Sequence, residues 1–147
     1  MYWDVCHHNL EDPMPELIDN ENKPTPTPCV FVISDSRGET AAAVVEAAAD
    51  QFKEGTVVIK QLGCVSSVDM VLEYLDKNMK DGVPVAVFHT IVNEHLRREL
   101  RREFDDREIP AIDLLGPAIS VLSTLSHEEP LRVAGHRAHT VVEKLSL

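Results

Sequence analysis

The sequence predicts an α/β fold: a doubly wound, mostly parallel sheet of about four strands in the order 2-1-3-4, with helices on both faces. Short β-rich runs alternate with longer segments of helical period from Cys29 onward, a pattern typical of parallel sheets with crossover helices. The run from Cys29 to Ser34 is apolar up to its last residue, as a central strand buried on both faces would be. Right-handed crossovers make 2-1-3-4 the simplest order and place strands 1 and 3 at the switch point.

Three further β-rich runs complete the predicted sheet. They occupy residues 56–62, 84–89 and 109–114. The last of them contains Pro110, whose nitrogen cannot donate to a strand ladder, so this strand is predicted to lie at an edge.

Capping signals mark the starts of the first two helices. Ser36 and Glu39 fit a capping box, with Ser36 as the N-cap, ahead of an Ala- and Val-rich run that reaches Phe52. Ser66 is the expected cap of the second helix, with Asp69 in its first turn. The apolar residues of that second segment recur at helical spacing, which predicts one face packed on the sheet.

The third and fourth helices are marked by Asn93 and by Gly116-Pro117. Asn93 is a favourable N-cap, and Pro117 suits the first turn of a helix. In the third helix, acidic and basic residues at i,i+4 spacing form predicted ion pairs, so the arginine-rich run 97–102 is expected to be a solvated face.

Residues 1–28 differ in composition from the rest of the chain. They contain six acidic residues against Lys23 alone, and they end in Lys-Pro-Thr-Pro-Thr-Pro. This composition predicts an acidic, flexible tail, followed by one domain over residues 29–147.

Charge and cysteine content exclude several classes of function. A formal net charge of −11 argues against binding nucleic acid or an anionic membrane, because both depend on clustered Lys and Arg. No apolar run resembles a secretory signal or reaches bilayer length, so a cytoplasmic location is expected. The three cysteines form no Cys-x-x-Cys pair, which predicts reduced, mostly buried thiols. Neither Cys6-His7-His8 nor the pair His136 and His139 is predicted to bind a metal.

Ligands in doubly wound folds bind beyond the carboxyl ends of the strands near the switch point. The residues at that position are tentative ligands for phosphate or another anion: Asp35, Ser36, Arg37, Gly38, Glu39, Thr40, His89 and Thr90. Hydroxyl groups, the N–H groups of a helix start and the planar guanidinium of Arg37 all suit an anion. A well-capped turn needs the same residue types, so the pattern alone does not separate the two interpretations. A sharper alternative makes Ser36 or Thr40 a nucleophile with His89 as its base, but no catalytic residue is assigned.

Three motifs in the same order carry a resemblance to a known family. They are Ser34–Ala41 after an apolar strand, Thr90–Glu94 followed by Leu96 and Arg97, and Ile112–Pro117. Together they resemble the bacterial and plastid regulatory kinase/pyrophosphorylases that control pyruvate, phosphate dikinase or phosphoenolpyruvate synthase. The match runs from about Cys29 to His139 and corresponds to the N-terminal half of a typical family member. Arg37 departs from the threonine that the family commonly has at that position.

The resemblance implies a protein that phosphorylates a threonine of its target dikinase or synthase with ADP as donor, and that removes the phosphate by phosphorolysis. Family members carry a Gly-x-x-x-x-Gly-Lys-[Ser/Thr] phosphate loop in a second domain, whereas none of the six glycines here is followed by lysine. ADP or ATP and phosphate are therefore expected ligands of the full-length family, and none is assigned to this chain alone.

The resemblance leaves three roles open for this half: dimerisation in a homo-oligomer, recognition of the target enzyme, or a share of the nucleotide and phosphate pocket. The alternative function is a stand-alone α/β module that binds a small anion or nucleotide without catalysis. A small phosphatase using the Ser36 loop and a purely structural assembly domain are further alternatives.

Overall fold

Four parallel strands form one sheet in the order β2-β1-β3-β4. A computed structural model describes residues 26–145, in which the strands are β1 (Cys29–Ser34), β2 (Val58–Leu62), β3 (Val85–Thr90) and β4 (Ala111–Asp113). All three strand pairings are parallel, with β1 between β2 and β3. The predicted fold class, strand order and central strand are thus confirmed, and β4 with its neighbour Pro110 lies at an edge.

The helices are α1 (Glu39–Ala49), α2 (Val68–Asn78), α3 (Glu94–Asp106) and α4 (Gly116–Ser126). Helix α1 covers one face of the sheet, where Val30 and Val32 pack against Val45. Helices α2 and α3 cover the other face, where Phe31 and Ile33 are fully buried. Every residue of β1 is buried as a result, so the chain that leaves β1 emerges between the two layers.

Two of the predicted helix caps are wrong. The N-cap of α1 is Gly38 rather than Ser36, and no side chain caps it. Ser36 belongs instead to a turn, in which its backbone N–H donates to the Ser34 Oγ at 3.0 Å. Helix α1 also ends at Ala49, short of Phe52. In α2 the cap is Ser67, not its neighbour Ser66, and its Oγ accepts from the N–H of Met70 at 3.2 Å.

The other two helix starts are confirmed. The Asn93 Oδ1 accepts from the N–H of Leu96 at 3.0 Å, and Pro117 lies in the first turn of α4. Helix α4 buries none of its own residues within the part of the chain that the structure describes.

The two cysteines that the structure describes differ in their exposure. Cys29 is buried as predicted. Cys64 is exposed, contrary to the prediction, and lies in the connection after β2 with a left-handed φ of 56°. The predicted tail lies outside the described residues apart from 26–28, as do Cys6, His7 and His8. None of the helices over residues 26–145 has the length and apolar character needed to cross a bilayer.

The two serines at the start of α2, Ser66 and Ser67, provide a matched pair of variants. Ser67→Ala removes the oxygen that satisfies a free N–H of the first helical turn, and should lower the free energy of unfolding by about 1 kcal/mol. Ser66→Ala alters an exposed residue with no capping bond and should change it by less than about 0.5 kcal/mol. Chemical denaturation of both variants measures the difference, and equal effects would contradict the assignment of the cap.

Candidate functional site

The predicted site loop leaves the carboxyl end of β1 and is held by the chain that follows β2. The N–H of Cys64 donates to the carbonyl of Ser36 at 2.7 Å. The Gln61 Nε2 donates to the carbonyl of Arg37 at 2.9 Å. The loop backbone is therefore fixed by a neighbouring strand end rather than by contacts of its own alone.

Two glycines allow this close approach. Gly38 has a φ of 84°, and a Cβ on it would lie 2.8 Å from the Gln61 Nε2. A Cβ on Gly63 would lie 2.8 Å from the carbonyl oxygen of Arg37, which is a backbone atom. A larger residue at position 63 would clash with this backbone atom, whereas at position 38 the left-handed φ itself disfavours any residue but glycine.

Asp35 joins this loop to the start of α3. Its Oδ2 accepts from the N–H of Val92 at 2.9 Å and from the N–H of Asn93 at 3.0 Å. Its Oδ1 is buried and has no hydrogen-bond partner in residues 26–145. Asp35 is therefore a positioning residue in this structure, since one carboxylate oxygen already holds two backbone donors.

The loop forms one wall of an open cleft with a volume of about 470 Å³. All predicted site residues except His89 line this cleft, together with Val92 and Leu115. The segment after α4 also lines the cleft, with Val133, Gly135, His136 and Arg137. That segment has no regular secondary structure, so no periodic signal in the sequence could have assigned it to the site.

His89 lies on the other face of the sheet. Strand register pairs it with Ile33, and its ring centroid is 6.4 Å from that of Phe104 on α3. Side chains alternate along a strand, so Thr90 lies on the opposite face and lines the cleft. The hypothesis that His89 is a base for Ser36 or Thr40 therefore fails, and no hydrogen bond joins it to either of them in the described chain.

The environment of His89 disfavours the charged form of its imidazole. Burial lowers the pKa of His89, with Asp113 opposing this shift and the arginines of α3 reinforcing it. The residue is 6% exposed, and its Nδ1 has no hydrogen-bond partner within residues 26–145.

The cleft meets an uncapped helix start. Within the described residues, no acceptor is found for the N–H groups of Glu39 and Thr40 at the beginning of α1. Free N–H groups at a helix N-terminus carry about half a positive charge. The exposed Arg37 and Arg137 add two full charges to the cleft, which the carboxylates of Asp35 and Glu39 oppose. The arrangement can hold a small anion by backbone donors and guanidinium groups together.

Sequence reasoning missed Asp113 at the end of β4. Its Oδ1 accepts from the N–H groups of Leu115 at 3.0 Å and Gly116 at 2.7 Å, which caps the start of α4. Its Oδ2 lies 3.4 Å from the Arg97 guanidinium, whose side chain is 27% exposed. Arg97 is thus not part of a solvated face, contrary to the prediction for run 97–102. The sequence did contain a signal for this cap, since an aspartate at a predicted strand end shortly precedes the Gly-Pro start of a predicted helix.

Metal-ligating side chains are scattered over the described part of the fold. No three His, Cys, Asp or Glu side chains of residues 26–145 lie close enough together to hold a metal ion.

Comparison with known proteins identifies the chain's relatives. A family model described as Kinase/pyrophosphorylase matches residues 30–145. The putative pyruvate, phosphate dikinase regulatory protein 2 of Syntrophomonas wolfei is 35% identical over 108 residues, which cover 74% of this chain and 39% of the relative.

Two further relatives have similar names. The putative pyruvate, phosphate dikinase regulatory protein 1 of Listeria welshimeri is 37% identical over 109 residues, covering 74% of this chain and 39% of the relative. The putative pyruvate, phosphate dikinase regulatory protein of Clostridium perfringens is 38% identical over 101 residues, with coverages of 69% and 37%. The chain thus matches less than two fifths of the length of each of these relatives.

Proposed function

This chain belongs to the kinase/pyrophosphorylase family, and we propose that it takes part in the cytoplasmic control of pyruvate, phosphate dikinase or phosphoenolpyruvate synthase. The regulation would consist of phosphorylating a threonine of the target with ADP as donor, and of removing that phosphate with inorganic phosphate as acceptor. Within this scheme, we assign to the present chain a phosphate-binding role at the cleft beside the 35–40 loop.

The observation that carries this proposal is the uncapped start of α1 inside the cleft. The predicted capping box would have engaged the N–H of Glu39, and α1 has no such box within the described residues. The loop that presents these donors is fixed by Gln61 and Cys64, so little ordering is needed when an anion binds. Arg37 and Arg137, which both line the cleft, supply the charge.

Phosphotransfer itself is assigned to the whole regulatory protein rather than to these residues. Positioning of nucleotide phosphates provides most of the catalysis in phosphoryl transfer, and the glycine-rich loop with a lysine that does this is not found in the 147 residues. We assign ADP or ATP to full-length members of the family, and a phosphate site and contacts with the target enzyme to this chain.

Titration of the ¹⁵N-labelled chain with inorganic phosphate at constant ionic strength tests the proposal. We expect saturable shifts of the Glu39 and Thr40 amides, with a dissociation constant on the order of millimolar, which is about 4 kcal/mol. The affinity is modest because Asp35 and Glu39 oppose the anion. Arg37→Gln should weaken binding roughly tenfold, since it removes one charge-assisted hydrogen bond.

The matched control is Arg102→Gln, which removes an exposed arginine of α3 that lines none of the cleft. It should leave the titration of Glu39 and Thr40 unchanged. Amides that do not saturate, or equal weakening by both variants, would overturn the phosphate site. Phosphothreonine formed on a dikinase by this chain and ADP alone would contradict the division of labour.

We also propose that two copies of the chain associate through α4. Three apolar residues are exposed on this helix, namely Val121, Leu122 and Leu125, of which Leu125 is 73% exposed. The helix contains no charged residue. Two identical apolar helix faces can pack about a two-fold axis without burying charge, despite the net charge of the protein.

Sedimentation velocity at tens of micromolar, roughly the range in which weak interfaces are populated, measures this association. The unmodified chain should form dimers, and Leu122→Lys should shift it to monomer. Val44→Lys places the same charge at an exposed position on α1 and should leave the dimer intact. Monomer alone in the unmodified chain would refute the interface.

A further inference from the structure

We propose that a second anion site, specific for the phosphate group of a small ligand, lies between α3, α4 and the segment that follows α4. A cavity of about 270 Å³ is found there, and we call it the arginine cavity. Three guanidinium-bearing residues line it, namely Arg97, Arg101 and Arg132. The start of α4 contributes Gly116 and Ser120.

Two separate elements bring these arginines together. Arg97 and Arg101 are four residues apart on α3 and so share one face of that helix. Arg132 comes from the irregular segment after α4, where its φ of 55° is in the left-handed region. Arg132 and the two arginines of α3 therefore line the same cavity from two separate elements.

The charges around the cavity are not balanced. Among residues 26–145, Asp113 is the only acidic residue that lines it, and this carboxylate is already engaged with Arg97 and with the N–H groups of Leu115 and Gly116. Arg132 lies 3.4 Å from Glu94, which also pairs with Arg98. No acidic partner of Arg101 is found among residues 26–145.

An excess of positive charge is unusual in this chain, whose formal net charge is −11. Like charges at i,i+4 spacing on a helix repel each other, and Asp113 contacts Arg97 but forms no ion pair with Arg101. An anion that contacts Arg101 would therefore reduce the remaining repulsion. Two other arginines, one on α3 and one directly after it, instead have an acidic partner at the same spacing. Arg98 pairs with Glu94, and Arg107 pairs with Glu103.

The composition of the cavity favours a phosphate group over other anions of small ligands. Guanidinium groups donate in a planar fork that matches two oxygens of a phosphate. The hydroxyl of Ser120 offers a further donor, and Ile91, Pro117 and Ile119 form apolar walls for the rest of a small ester. The volume is below the usual range for pockets that hold drug-sized ligands, about 300 to 1,000 Å³.

This site is independent of the cleft beside the 35–40 loop. The two cavities share only Val92, and no residue of the loop lines the arginine cavity. The inference therefore stands or falls separately from the proposed function.

The test is an amide-shift titration of the ¹⁵N-labelled chain with inorganic phosphate and, in a second series, with glycerol 3-phosphate, both at constant ionic strength. We expect saturable shifts at Arg101, Gly116 and Ser120. Arg101→Gln should raise the dissociation constant obtained from these shifts about tenfold, since it removes one charge-assisted hydrogen bond. Arg102→Gln removes the neighbouring charge, which does not line the cavity, and should raise that constant less than about twofold.

The two probes distinguish the source of the phosphate group. Tighter binding of glycerol 3-phosphate would identify a small phosphate ester, and tighter binding of inorganic phosphate would identify the free ion. Absence of saturable shifts at Gly116 and Ser120 with both probes would overturn the site. So would equal weakening by the two arginine variants, which would indicate a response to overall charge. Both variants replace exposed side chains, and the titration of the unmodified chain alone decides whether the site binds either probe.

Discussion

The carboxylate of Asp35 links the two elements that carry the candidate sites, the loop after β1 and the start of α3. Strand β1 is buried on both faces, so the chain leaving it must turn between two packed layers. Asp35 makes that turn and accepts the N–H groups of Val92 and Asn93 through one oxygen. The end of the central strand and the start of α3 are thereby held together. The loop that lines the cleft is thereby joined to the helix that carries Arg97 and Arg101, while Gln61 and Cys64 hold the other side of the loop.

Strand alternation then separates the chemistry into two sides. His89 and Asp113 are partners in register, and His89 packs under α3. Thr90, one residue further along, lines the cleft on the other side. The segment after α4 contacts both sides, because Arg132 lines the arginine cavity while Gly135 to Arg137 line the cleft. A ligand in either cavity would therefore contact the same irregular segment.

The sequence was sufficient where the signal was local. The apolar run of β1, the proline beside β4 and the side chain of Asn93 each act on their own neighbours, and each predicted feature was confirmed. Prediction failed at Ser36 because its carbonyl is held by Cys64, a contact between distant parts of the chain. Capping preferences do not distinguish Ser66 from Ser67, since both are serines and only the helix phase selects one.

In the candidate site, too, some features follow from the sequence and others depend on tertiary contacts. The 35–40 loop could be located from topology alone, because ligands in this fold bind at the switch point. The face on which His89 lies depends on the exact register of β3, because a shift of one residue would move its side chain to the other face of the sheet. The partners of Arg97 and Arg132 depend on tertiary contacts that no spacing encodes.

Hydrogen exchange at the amides of Val92 and Asn93 tests the role of Asp35 most directly. In Asp35→Ala both amides lose their acceptor, so their protection should fall while that of buried α2 amides such as Leu75 changes little. Asp35→Asn keeps one acceptor oxygen and should restore part of the protection. Unchanged protection of Val92 and Asn93 in Asp35→Ala would show that the start of α3 is held by other contacts, and would contradict the central role given to this carboxylate.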